Sequence, residues 1–268
     1  MRRFLLVATA FMFFFIAGQA FAADNLSNAA SKIESGILNI LNEIGGTISH
    51  AAKETGKAGL HRETEIRKLL QKNCIAGRPY AVNSTFIDSK GMMKFIEPEQ
   101  YRKYEGSDIS GQEAVIKMRK THKPRMGNVF VSVEGIKSFD IECPVFSKEK
   151  RFLGSVSMLV KHDEMIRAVA ATVEKELNVK CWVMQKDGLI LYETDPTQTG
   201  LNLFTDPLYK DYPELIVLGK RMVKEKDGKG VYTFLVHGTK NVVKKQAAWK
   251  TVHFFNNDWI IVAYKEVK

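Results

Sequence analysis

The chain has 268 residues, 45% of them hydrophobic, and a formal net charge of +10. That hydrophobic share excludes a disordered chain, and the length is enough for one large domain or two small ones, each with a core of its own. The basic residues are scattered among acidic ones rather than set in a stripe with aromatics, so no nucleic-acid partner is expected.

The first segment, MRRFLLVATAFMFFFIAGQAFA, carries two arginines, an apolar run from Phe4 to Gly18, and the small-x-small ending Ala20-Phe21-Ala22. This is the pattern of a secretory signal over residues 1–22, cut between Ala22 and Ala23. An uncleaved anchor is the alternative, but the run is shorter than the roughly 20 residues that a spanning helix needs. The expected location is the periplasm or the exterior, with the charge falling to +8 once Arg2 and Arg3 leave.

Residues 23–73 form the next region. Leu26, Ala30, Ile33, Ile37, Ile40, Ile44, Ile48 and Ala51 recur at steps of three and four, which predicts a helix with one apolar stripe. The pair Gly45-Gly46 weakens it, and Gly56 and Gly59 separate a second piece through Ile66, Leu69 and Leu70, so the spacing predicts a bent helix or a helix pair. A stripe longer than one small sheet requires either pairs with a second copy of this helix, giving a homodimer, or packs wholly along the two modules.

From Cys74 the pattern changes to short strands. AVNSTFIDSKGMMKFIEP reads as a hairpin turning at Lys90-Gly91, and CWVMQKDGLILYETDP repeats it around Asp187-Gly188. Each hairpin is followed by a glycine turn, a helical segment and three strands. The first set is NVFVSVEG, SFDIECPVF and FLGSVSMLV; the second is GVYTFLVHG, KKQAAWKTVHFF and DWIIVAYKEV. The fold class is therefore α+β: a long N-terminal helix and two modules, 74–162 and 179–268, each an antiparallel sheet of about five strands with a helical insertion. Residues 163–178 connect them as a helix.

Within the first insertion, Gly106 and Gly111 have the spacing of a phosphate-binding loop, but Gln112 and Glu113 stand where Lys and Ser or Thr are required, which excludes that reading. Ser110 followed by Glu113 instead predicts a capping box, with Asp108 or Ser110 starting the helix. Cys74, Cys143 and Cys181 lie far apart with no C-x-x-C, which disfavours metal and haem attachment and suits buried thiols. No G-x-S-x-G, H-E-x-x-H or EF-hand loop is present, so no enzymatic activity, metal or cofactor is expected.

The order G-S-D-I-S, P-R-M-G, S-F-D-I-E-C-P-V and F-L-G-S-V resembles the membrane-distal module of the double Cache family, extracellular PAS-like sensor domains. The second copy, D-G-L-I-L-Y, G-L-N-L and D-W-I-I-V, is similar to the membrane-proximal module. The resemblance implies a sensor that holds a small molecule, often an amino acid or carboxylate, between sheet and insertion of the distal module, in signal transduction or chemotaxis. Two departures point away from an α-amino acid. YEGSDISGQEA lacks the arginine and tryptophan of the family's R-x-W-Y motif, and SVSMLV is uncharged where those members carry an aspartate. The family's usual architecture runs on into a transmembrane helix and an output domain, whereas this sequence ends at Lys268; a membrane receptor or transporter is the partner the resemblance implies.

The residues that gather at the end of the insertion are Arg119, His122 and Arg125, with Tyr101 and Tyr104 upstream, and guanidinium groups suit a small organic acid. Alternatively, these bases complement the helix dipole. Asp140 and Glu142 alternate with Phe139, Ile141 and Cys143, so both acids lie on the strand face opposite those residues, and if that face is under the insertion they would select a ligand amine or hydroxyl. A fallback site lies beneath Tyr192, Tyr209 and Tyr212. The rival reading is a structural or interaction protein of the cell envelope with a collapsed pocket.

Overall fold

The computed structural model describes the backbone of residues 3–267 and the side chains of residues 25–267. The expected cut between Ala22 and Ala23 lies outside the described side chains. Among the described residues no helix is long and apolar enough to cross a membrane.

One helix, α1, runs from Arg3 to Ala58. The helix runs uninterrupted through Gly45-Gly46, and of the two expected outcomes the helix pair is the one that forms, divided at Gly59. Ile44 and Ile48 are buried on either side of the pair, and a Cβ at Gly45 would come 2.8 Å from the Phe254 ring. Gly45 therefore serves close packing, and burial of its neighbours outweighs the weak helix propensity of two glycines. The helix stops where Gly59 turns left-handed at φ +85°, and α2 follows from Glu63 to Ala76.

The first sheet is built from β1 (Ala81–Asp88), β2 (Met93–Glu97), β3 (Arg125–Met126), β4 (Phe130–Val131), β5 (Lys137–Phe146) and β6 (Phe152–Val160). Its order is β2-β1-β6-β5-β3, with β4 also on β5. Helix α3 (Glu113–Thr121) lies in the insertion between β2 and β3. After α4 (His162–Leu177) come β7 (Lys180–Gln185), β8 (Ile190–Glu193), α5 (Pro213–Lys224), β9 (Asp227–Leu235), β10 (Val242–Phe254) and β11 (Asn257–Val267). The second sheet has the order β8-β7-β11-β10-β9, the same path as the first. The repeat extends to the turns: each hairpin is met by the segment after it, through a bridge between Met92 and Asp108 in one module and between Leu189 and Asn202 in the other.

Two compact units result, one of Ile37–Ile166 with His253–Asp258, the other of Met1–Gly36, Arg167–Val252 and Trp259–Lys268. In the first-sheet unit, every strand of the sheet's middle is buried on both faces. One face, with Ser84, Met158 and Ile141 in register, is covered by α2, whose Asn73 amide donates to Ser84 Oγ at 3.2 Å. The other face carries the insertion. In the second-sheet unit, α5 buries Leu215, Leu218 and Met222 against Trp182, Trp249 and Tyr232. The cysteines are free and buried.

The expected capping box does not form. Helix α3 begins at Glu113 after Gln112, without a side-chain cap. Instead Asp108 Oδ1 accepts from the Ser110 amide at 2.9 Å, an Asx turn that uses the preceding residues before the helix starts.

Candidate functional site

The cross-strand register of the first sheet decides which side chains share a face, because directly opposed residues in an antiparallel pair project to the same side. One row runs Thr85, Ser157, Glu142 and Arg125; the next runs Asn83, Leu159 and Asp140. These rows face the insertion. There all of them but Arg125 form the floor of a cavity of about 40 Å³, closed by Ile109, Gln112 and Val115 from the insertion and by Phe130, Ser132 and Glu134 from the β4–β5 segment. A single water needs roughly 10–15 Å³ on this measure, so the space admits a small ligand or about three waters.

The polar groups on the floor are heavily buried. Asp140 is 4% exposed and Glu142 is 0% exposed. Arg125 Nη1 donates to Asp140 Oδ2 at 3.0 Å and lies 3.5 Å from Glu142 Oε2. Ser155 Oγ donates to Glu142 Oε1 at 2.5 Å. Asp140 Oδ1, Glu142 Oε2, Ser132 Oγ and Glu134 Oε2 are buried without a hydrogen-bond partner. Glu134 is held through its other oxygen, which accepts from Asn83 at 2.7 Å. Burial, with the Asp140 charge next to it, pushes the Glu142 carboxyl up to about 8. Burial raises Asp140 as well, against the pull of Arg125. Gly127 makes this arrangement possible, since a Cβ there would stand 1.9 Å from Asp140 Oδ1.

Of the residues singled out in the sequence, the structure brings Asp140 and Glu142 to the cavity wall, with Arg125 behind them as their shared counter-ion. Arg119 and His122 are exposed, and His122, left-handed at φ 52° at the end of α3, stacks on Phe152 with centroids 4.1 Å apart. Tyr101 and Tyr104 pack against the apolar cluster of Ile87, Met93, Ile96, Ile109 and Val115. None of these four lines the cavity. Asn83, Thr85, Ser132, Glu134 and Ser157 do, and sequence reasoning passed over them. For Asn83, Thr85 and Ser157 the available signal was their polar, period-two placing in strands buried on both faces; Ser132 and Glu134 lie in the turn between β4 and β5 and carried no such signal.

The second-sheet unit contains a smaller cavity of about 10 Å³, lined among others by Glu193, Gln198, Tyr209 and Lys245. Tyr209 lines it, whereas Tyr192 and Tyr212 do not. It is the size of one water. Tyr264 donates to Glu193 Oε1 at 2.9 Å, and burial pushes that carboxyl up to about 8.

Comparison with known proteins bears on the fold. Residues 39–162 match the family model described as HK/GC/Chemotaxis protein-like, sensor domain. No curated protein matches the chain. Among solved structures, an extracellular ligand binding receptor from Desulfohalobium retbaense superposes with a TM-score of 0.74 at 24% identity, over 88% of this chain and 39% of that one. The chain thus spans about two fifths of that receptor. The ligand-binding domain of the Pseudomonas aeruginosa amino acid chemoreceptor PctC, solved with GABA, gives 0.64 at 13% identity over 91% of this chain and 99% of that one. The ligand-binding domain of the Campylobacter jejuni chemoreceptor Tlp3, solved with 4-methylisoleucine, gives 0.68 at 10% identity over 92% and 91%. The fold is the one these ligand-binding domains share. More particularly, the long helix and the two repeated sheets are the double Cache architecture.

Proposed function

We propose that this chain is an exported double Cache sensor that binds a small ligand in the first-sheet cavity, performs no chemistry on it, and reports occupancy to a membrane receptor or transporter. The observation that carries this reading is the set of buried, unpartnered oxygens on the cavity wall. Buried acceptors left unmade cost about 1–3 kcal/mol each, and a ligand or water that fills them recovers that loss. Export with cleavage after Ala22, and modules bounded at 74–162 and 179–268, belong to the same proposal.

An organic-acid ligand required Arg119, His122 and Arg125 to converge on one pocket. With Arg125 committed to Asp140 and the other two outside, the wall favours a different charge. A homodimer through α1 would have to use its solvent side, because Leu26, Ala30, Ile33, Ile37, Ile44 and Ile48 are all buried within the chain.

The reading is tested by a thermal-shift screen of amines, organic acids, amino acids and sugars, followed by Ala114→Trp. Ala114 sits on α3 at the cavity wall, and an indole there fills the space. A ligand at 100 times its Kd adds about 2.7 kcal/mol of stability, and that gain should vanish in Ala114→Trp but persist in Lys117→Trp, at an exposed position of the same helix. A gain that survives Ala114→Trp puts the site elsewhere.

A further inference from the structure

We propose that the first-sheet cavity takes a small organic monocation, a protonated amine with a short apolar chain, whose head group is held by Asp140, Glu142 and Glu134. The proposal rests on the ligand-binding reading above and adds the sign and shape of the ligand. Three carboxylates line the cavity, and no lysine, arginine or histidine does. One guanidinium, Arg125, stands behind two of them. The wall is therefore short of positive charge, and three of its four buried atoms without a hydrogen bond are carboxylate oxygens, of which Glu142 Oε2 has the Arg125 guanidinium 3.5 Å away.

An ammonium brings three donors and no acceptor, which is the complement of this wall. A carboxylate ligand would face a wall of three acidic side chains in a buried site with no basic one among them, and a neutral alcohol would bring a single donor for several acceptors. Among the described residues no group of three or more His, Cys, Asp or Glu is arranged to hold a metal ion, and the apolar residues that share the wall suit an organic cation. Ile87, Met93, Ile109, Val115 and Phe130 line the remainder of the space, and its volume limits the apolar part to a few carbons.

Protonation follows from the same geometry. The groups that bear on Glu142 are Asp140 on its own strand, Arg125 on β3 and Ser155 on β6, while Glu113 on α3 bears on Asp140. An empty site keeps a proton on Glu142 at neutral pH, because burial and Asp140 hold its carboxyl near 8. An arriving ammonium replaces that proton as the compensating charge, so binding releases a proton to buffer.

The test compares butylammonium, butyrate and 1-butanol, which share a chain and differ in head group, by calorimetry at pH 7 in two buffers of different ionisation enthalpy. Butylammonium should bind at least tenfold tighter than either companion, with an observed enthalpy that depends on the buffer. Glu134→Gln, at a half-buried position of the wall, should weaken it about tenfold, and Glu142→Gln should abolish the buffer dependence; if Glu142→Gln fails to fold, Glu134→Gln carries the test. Butyrate binding as tightly as butylammonium overturns the proposal, as does binding indifferent to Glu134→Gln. Should none of the three bind, the cation proposal also falls. The sensor reading then stands only if the wider screen finds a ligand that Ala114→Trp excludes, and otherwise the cavity holds ordered water alone.

Discussion

Arg125 and Arg119 are six residues apart and chemically identical, yet their surroundings set opposite consequences. Arg125 is 5% exposed and is the shared partner of two buried acids, so Arg125→Ala leaves uncompensated charge and should cost about 3–5 kcal/mol. Arg119 is exposed at the end of α3, and Arg119→Ala should stay within about 0.5 kcal/mol. Urea denaturation of the two variants side by side measures the difference. The raised carboxyl of Glu142 predicts a pH effect. Its folded value of about 8 against an ordinary 4.5 means that the folded state holds the proton more tightly, so stability falls as pH rises through that window. Burial raises Glu193 to about 8 too and acts in the same direction. His162, which burial holds down to about 4, opposes this below about 6.5, because its stabilisation is lost as pH falls. Between about pH 6.5 and 8 the unfolding free energy should therefore decline, and the decline should shrink in Glu142→Gln. Equal slopes in parent and variant would refute this.

At the scale of elements, the two neighbouring glycines of α1 separate propensity from packing. Gly46 is exposed and nothing lies within 4 Å of a Cβ built there, so Gly46→Ala should stabilise by about 1 kcal/mol. Gly45→Ala brings a methyl to 2.8 Å from Phe254, itself buried at 6% exposure, and the ring must shift. That strain should cancel the propensity gain or reverse it, and melting curves of both variants decide the point. The hairpins, their turns and the repeated succession of elements were legible from alternation and Gly placement, which are local signals, whereas the order of strands across each sheet came from the structure. The start of α3 was not, because Ser110 and Glu113 satisfy the capping pattern while Asp108 takes the Ser110 amide first. Two local motifs competed for the same backbone donors, and spacing alone does not rank them.

For the molecule as a whole, the apolar stripe of α1 bears on assembly. Ile37 is fully buried within the chain, so Ile37→Lys places an unpaired ammonium in the core and should lower stability by several kcal/mol. It should not act by dissociating a dimer. Sedimentation at tens of micromolar should give a monomer for the parent, and a dimer that Ile37→Lys dissolves without loss of melting temperature would overturn this. The sequence by itself determined the fold class, the internal repeat, the sensor resemblance and the strand face of Asp140 and Glu142, because each follows from periodicity or from residues adjacent in the chain. Only the tertiary structure decided the rest. Whether Arg125 faces a ligand or a carboxylate depends on the pairing of β3 with β5, and the cavity wall gathers Asn83, Gln112, Glu134, Asp140 and Ser157 from segments far apart in sequence. The charge of a site is a sum over residues that the fold brings together, and no spacing along the chain carries it.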